Sequence, residues 1–219
     1  MSGRRSWVLV SGFFAIAIAA LGLSAYSGAS SSQGFAPRQP VDFTHPRHVQ
    51  QLGMNCLYCH YAANKSPDPG IPAVGTCMGC HNFVRGGRPD IEGVAPRDTV
   101  ALRELLAFAP PGPVGMAPDP SAWRPIPWVR IHKLPEYVHF PHMRHVSAGV
   151  TCQTCHGPVQ QMQRVYQYAS LNMGWCVNCH VKGYSLADGL LAAGDTAGAR
   201  AAANVEPKKA RYDCAVCHH

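Results

Sequence analysis

Phe140-Pro141-His142-Met143-Arg144-His145 is followed, after six residues, by Cys152-Gln153-Thr154-Cys155-His156. The pattern Cys-x-x-Cys-His in the second element recurs at Cys56-Leu57-Tyr58-Cys59-His60, Cys77-Met78-Gly79-Cys80-His81, Cys176-Val177-Asn178-Cys179-His180 and Cys214-Ala215-Val216-Cys217-His218. These are motifs 1 to 5 in chain order, Cys152–His156 being motif 3. All ten cysteines lie in them. A single Cys-x-x-Cys reads equally well as a zinc half-site or a redox dithiol. With 12 His in 219 residues, five pairs each followed by His arise by chance with a probability of about 5 × 10⁻⁷. Neither zinc nor a disulfide requires the histidine every time, whereas covalent attachment of a c-type haem does. Two thiols add across the porphyrin vinyl groups, and the following imidazole becomes the proximal iron ligand. Five haem c groups are therefore expected, with His60, His81, His156, His180 and His218 on the irons.

The N-terminus fits export, which haem c attachment requires in bacteria. Arg4 and Arg5 precede an uncharged run of 20 residues from Trp7 to Tyr26. As a helix this run crosses a hydrocarbon core of about 30 Å. The paired arginines predict an inside N-terminus, and Trp7 and Tyr26 stand where interfacial aromatics belong. Ala25-Tyr26-Ser27 offers a small-x-small cleavage site, but the apolar run is longer than a usual signal h-region, so an uncleaved anchor is expected. A lipid anchor on cysteine is excluded, because haem uses every cysteine.

Hydrophobic residues make up 47% and charged residues 14%, against roughly 25% charged in a soluble domain. The surface is thus expected to be covered partly by something other than water. Gly 21 and Pro 19 leave little room for long regular elements. The net charge of +7 does not indicate nucleic acid: propionates and ferric porphyrin centres of five haems add about −5, and the basic excess balances them.

A second repeat precedes motifs 1 and 3. Phe43-Thr44-His45-Pro46-Arg47-His48 and Phe140 to His145 both read Phe-x-His-x-Arg-His, which suggests an internal duplication. Histidines three apart on a helical turn share a face and can reach two different irons. The phenylalanine can pack on a porphyrin. Outside the motifs there remain His45, His48, His132, His139, His142, His145 and His219. Five irons need five sixth ligands, so His45, His48, His142 and His145 are expected to be distal ligands. For the fifth, His132 comes first and Met173 second, with His139 and His219 as alternatives. A methionine would give a haem of higher potential.

Between the lobes, Thr99 to Phe108 has leucines at helical spacing and is stopped by Pro110. Pro110 to Pro127 reads as an extended strap that also packs on a partner. Leu186 to Ala203 reads as a helix weakened by Gly189, Gly194 and Gly198. The expected architecture is a single N-terminal transmembrane helix followed by a mainly α-helical and irregular multihaem domain with little β structure, its core formed largely by five haems. Its parts are an anchor (1–26), a flexible tether (27–40), a dihaem lobe (41–98), a helix and proline-rich strap (99–135) and a trihaem lobe (136–219). No phosphate loop, paired carboxylates or Ser-His-Asp pattern stands out.

The Phe-x-His-x-x-His element before Cys-x-x-Cys-His resembles the class III (c3-type and c7-type) multihaem cytochromes. Phe43 to His81, with Gly70-Ile71-Pro72 and Thr76-Cys77-Met78-Gly79-Cys80-His81, together with Trp128 to His180, is similar to the pentahaem membrane-anchored subunit of bacterial alternative complex III. That resemblance implies a subunit of a quinol:acceptor oxidoreductase in a respiratory or photosynthetic chain. It implies electrons relayed from an iron–sulfur/molybdopterin-like subunit to a monohaem cytochrome, or to a soluble cytochrome c or blue-copper protein. Integral membrane subunits would hold the quinol site, and this chain no substrate site of its own. The location implied is the cytoplasmic membrane, single-pass, with the haem domain on the periplasmic side. Two other readings are a membrane-anchored multihaem quinol dehydrogenase and a multihaem reductase with one open iron. The intact mass of the purified coloured chain is expected to exceed the polypeptide mass by five haem increments; any smaller increment contradicts the motif reading.

Overall fold

The computed structural model describes residues 2–26, 32–84, 100–110 and 119–218. Ten α-helices lie among them, most only one or two turns long. No strand is present among the described residues; two isolated antiparallel bridges, Val138 to His218 and Tyr184 to Lys208, are the β pairing there. Helix α1 (Ser2–Tyr26) is the long exception. Its 25 residues span about 37 Å. Large apolar side chains from Trp7 to Leu23 are exposed along it. It is long and apolar enough to cross a membrane by length and composition.

All five motifs fold as helical turns. Motifs 1, 3 and 5 form α2 (Cys56–Cys59), α6 (Cys152–His156) and α10 (Cys214–Cys217), and motifs 2 and 4 lie in α3 (Val74–His81) and α7 (Met173–Lys182). A helical turn puts cysteines i and i+3 on one face, as attachment to one porphyrin demands. Asn55 starts α2 by accepting from the Leu57 amide (2.8 Å), and Asn172 starts α7 by accepting from Trp175 (2.8 Å). Such caps satisfy amides that so short a helix cannot.

One small apolar core is built by Val41, Val74, Met78, Leu102, Leu105, Ala109 and Ile126, with Trp123 and Trp128 packed against it. Its leucines come from α4 (Val100–Phe108), the helix read from their spacing. The described part of the strap, from Asp119 on, therefore turns its tryptophans onto the chain's own core; residues 111–118 lie outside the described residues. Arg124 lies 5.7 Å over the Phe108 ring and donates to the Ala107 carbonyl (2.8 Å), closing the C-terminus of α4.

Residues 32–40, the end of the stretch read as a tether, pair with distant segments. The Gly34 amide donates to Gln167 O (2.7 Å), the Gln167 amide to Phe35 O (3.1 Å), and Gln39 exchanges two bonds with the Val129 backbone. Residues 27–31 lie outside the described residues.

The Ala-rich stretch after motif 4 is two helices, not one: α8 (Leu186–Ala193) and α9 (Thr196–Ala201). Gly194 ends α8 with φ +87°, the left-handed cap that glycine adopts without penalty, and Asp195 then caps α9. α8 packs on both α9 and α6, so this hairpin supports motif 3. Just after motif 3, Gly157 has φ +71° and ψ −168°, and a Cβ there would lie 2.5 Å from the Tyr168 ring. Gly157→Ala is expected to cost about 1–3 kcal/mol, read as a lower melting temperature of the haem-loaded chain; an unchanged temperature contradicts this.

Candidate haem centres

The two Phe-x-His-x-Arg-His copies adopt one ring geometry on different backbones. Copy 1 enters a π-helical turn (Pro46–Gln51), and copy 2 opens α5 (His142–Ser147). Phe43 stacks on His48 (4.4 Å between centroids, 24°) and meets His45 edge-on (4.9 Å, 87°). Phe140 stacks on His145 (4.3 Å, 30°) and meets His142 edge-on (4.8 Å, 88°). The phenylalanine thus braces the second imidazole of its own copy.

That second imidazole is held twice. His48 Nδ1 donates to Thr44 O (3.1 Å), and His145 Nδ1 donates to Pro141 O (3.2 Å). A carbonyl can only accept, so the proton sits on Nδ1 and Nε2 keeps its lone pair. The imidazole opposite is prepared in the same way. His81 of motif 2 donates from Nδ1 to Val84 O (2.8 Å), and His180 of motif 4 donates to Arg211 O. The His48–His81 and His145–His180 ring centroids are each 6.1 Å apart. Two imidazoles bonded trans to one first-row metal, at about 2.0–2.1 Å each, place their ring centres about 6–6.5 Å apart. Both pairs fit an iron between them, with a carbonyl behind each ligand fixing its tautomer.

Motif 3 lies in the densest imidazole cluster. His156 faces His142 at 6.4 Å and 22°, and His132 at 4.4 Å and 72°. The first separation suits a shared iron; the second is too short for one. Burial first, then His132, His142, His60 and His45, hold His156 down to about 3. Burial, with His60 and His48, holds His45 down to about 4. These rings are neutral at physiological pH, the state a metal ligand needs. His45 Nδ1, His142 Nδ1 and His132 Nε2 are buried without a hydrogen-bond partner, as polar atoms reserved for another group would be.

Motif 5 is set against the segment before copy 2: the His139 amide donates to Cys217 O (2.9 Å), and Tyr137 stacks on His218 (5.6 Å, 24°). Tyr137 carried no motif signal, because an exposed tyrosine in sequence looks like any other. Met173 is exposed on the first turn of α7, and His219 lies outside the described residues.

Before haem is attached, thiols of neighbouring motifs shift one another. The Cys152 side chain holds Cys56 down to about 6, and Cys56, with burial, raises Cys152. Burial raises Cys59, with Cys80 and Cys56 adding to it. Burial pushes Cys155 up to about 12, helped by Cys179 and Cys176. Burial also raises Cys176, helped by Cys217 and Cys179. In the haem-loaded chain, His48→Ala and His145→Ala are each expected to turn one low-spin haem high-spin and open it to CO. A spectrum that stays wholly low-spin in either variant contradicts the pairing.

Residues 144–219, holding motifs 3 to 5, match the family model described as cytochrome c3. The multiheme cytochrome c subunit of menaquinone reductase from Nitratidesulfovibrio vulgaris is 23% identical over 162 residues, covering 65% of this chain and 67% of that protein. Taken with the repeated motif and the paired imidazoles, these likenesses make the chain a multihaem c-type cytochrome that binds its haem covalently.

Proposed function

We propose that the chain is a membrane-anchored pentahaem electron relay within a quinol:acceptor oxidoreductase of the alternative complex III kind. In this reading α1 is an uncleaved anchor with its N-terminus inside, and the haem domain stands outside the cytoplasm. The observation that carries the proposal is the pair of 6.1 Å imidazole separations, one in each half of the duplication. An iron held by two imidazoles has no open position, so such a site suits electron transfer and not substrate binding. Covalently bound haem supplies in each site an iron that takes up and gives back one electron.

The residues divide that work. Cys56, Cys59, Cys77, Cys80, Cys152, Cys155, Cys176, Cys179, Cys214 and Cys217 fix the porphyrins, and His60, His81, His156, His180 and His218 are the proximal ligands. His48 serves motif 2, His145 motif 4 and His142 motif 3. His45, which has His60 among its neighbours, serves motif 1. For motif 5 we place His139, whose amide bonds to Cys217 (2.9 Å), ahead of His132, which lies against His156. Carbonyls bonded to Nδ1 of His48, His81, His145 and His180, and caps on short helices, keep these ligands in place through a redox cycle.

The partners follow from the resemblance: an iron–sulfur/molybdopterin-like subunit as donor, integral subunits holding quinol, and a monohaem cytochrome, soluble cytochrome c or blue-copper protein as acceptor. A second reading reverses the flow, since the relative from Nitratidesulfovibrio vulgaris belongs to a menaquinone reductase. Purifying the assembly from membranes in mild detergent separates the readings. The first predicts quinol oxidation by the assembly with an added one-electron acceptor, and none by the isolated chain. Menaquinone reduction without quinol oxidation supports the second. Quinol oxidation by the isolated chain would overturn both in favour of a self-sufficient quinol dehydrogenase.

A further inference from the structure

The chain order of the motifs is not their order in space. Copy 1 reaches motif 2, not motif 1, with its second histidine: His48 and His81 are 6.1 Å apart. Motif 1 is turned toward the other lobe. The loop after it accepts from copy 2, through His142 N to Pro67 O (3.1 Å) and Met143 N to Ser66 O (3.2 Å). The π-helical turn of copy 1 packs on the single turn Val159–Gln161 that follows motif 3. Motif 3 then adjoins motif 4 through α5, which places His142 against His156 (6.4 Å) and His145 against His180 (6.1 Å). Motif 4 adjoins the approach to motif 5: Ala210 N donates to His180 O (3.2 Å), and Tyr184 and Lys208 exchange bonds of 2.9 and 3.1 Å.

We propose that the five attachment sites form one file in the order motif 2, motif 1, motif 3, motif 4, motif 5, so that motifs 2 and 5 are the two ends at which electrons enter and leave. This rests on the relay reading above and assigns its two ends. Motifs 1, 3 and 4 exchange electrons within the chain alone. Each transfer oxidises one ferrous centre and reduces the next ferric one, with no bond made or broken; a one-electron donor at one end loses what a one-electron acceptor at the other gains. The junction between the two halves of the duplication is then motif 1 to motif 3, and the 70 residues of 82–151 connect sites that are not neighbours.

His48→Met and His145→Met in the full haem-loaded chain test the order. Methionine in place of histidine raises the potential of that one haem. At a potential where the raised haem alone is reduced, it is diamagnetic, and its neighbours lose a paramagnetic partner. EPR relaxation then counts neighbours. One other ferric haem is expected to relax more slowly in His48→Met, and two in His145→Met. Two in the first variant, or one in the second, overturns the file. If neither variant yields a low-spin haem of raised potential, the axial pairing has failed and the file falls with it. Iron–iron distances in the haem-loaded wild-type chain give a second measurement that needs no variant. Nearest neighbours of the motif 1 iron at motifs 2 and 3 support the order, and a motif 2 iron next to motif 3 or 4 overturns it.

Discussion

Four imidazoles with Nδ1 tied to a backbone carbonyl are the constraint on which the rest of the molecule depends. His48, His81, His145 and His180 each donate that proton to the main chain, so each presents Nε2. A carbonyl behind the ring does two things at once: it fixes the tautomer and the ring plane, and it raises the basicity of the ligating nitrogen. Across each of the two pairs the ring centroids lie 6.1 Å apart. Short helices, abundant Gly and Pro, and a small apolar core are consistent with a chain organised around these ligand positions and not around a large hydrophobic interior.

Duplication gives this constraint its economy. The same six-residue element is built once on a π-helical turn and once on an α-helical one, and the phenylalanine rings still land within 0.1 Å of the same centroid separations, 4.4 and 4.3 Å for the stacked pair and 4.9 and 4.8 Å for the edge-on pair. Ring packing, more than backbone hydrogen bonding, therefore defines the element. In each copy the second histidine faces the second motif that follows it, His48 against His81 and His145 against His180.

Local chemistry was legible in the sequence. Cys-x-x-Cys-His needs no tertiary information, because the cysteine spacing on a helical turn is what one porphyrin requires. Leu102 and Leu105 marked the buried face of α4. The scarcity of long regular elements followed from the abundance of Gly and Pro. The long-range pairings were not legible. Nothing at His48 says that its partner is His81 and not His60; that choice is made by which lobe surface motif 1 meets. Residues 32–40 look like a linker in composition, yet their backbone pairs with Gln167 and Val129, and no local periodicity encodes such a contact. The break at Gly194 was misread for a related reason: glycine in an alanine-rich helix weakens it by propensity, whereas a left-handed cap followed at once by an Asp195 N-cap ends it.

The central claim is that imidazoles close both axial faces of every iron. Low-temperature EPR of the fully oxidised native chain, with spins quantified against haem content, tests it most directly. The account predicts five low-spin ferric centres per polypeptide and no CO adduct after reduction. A ferric high-spin signal approaching one spin per chain, matched by a haem that binds CO, would contradict it.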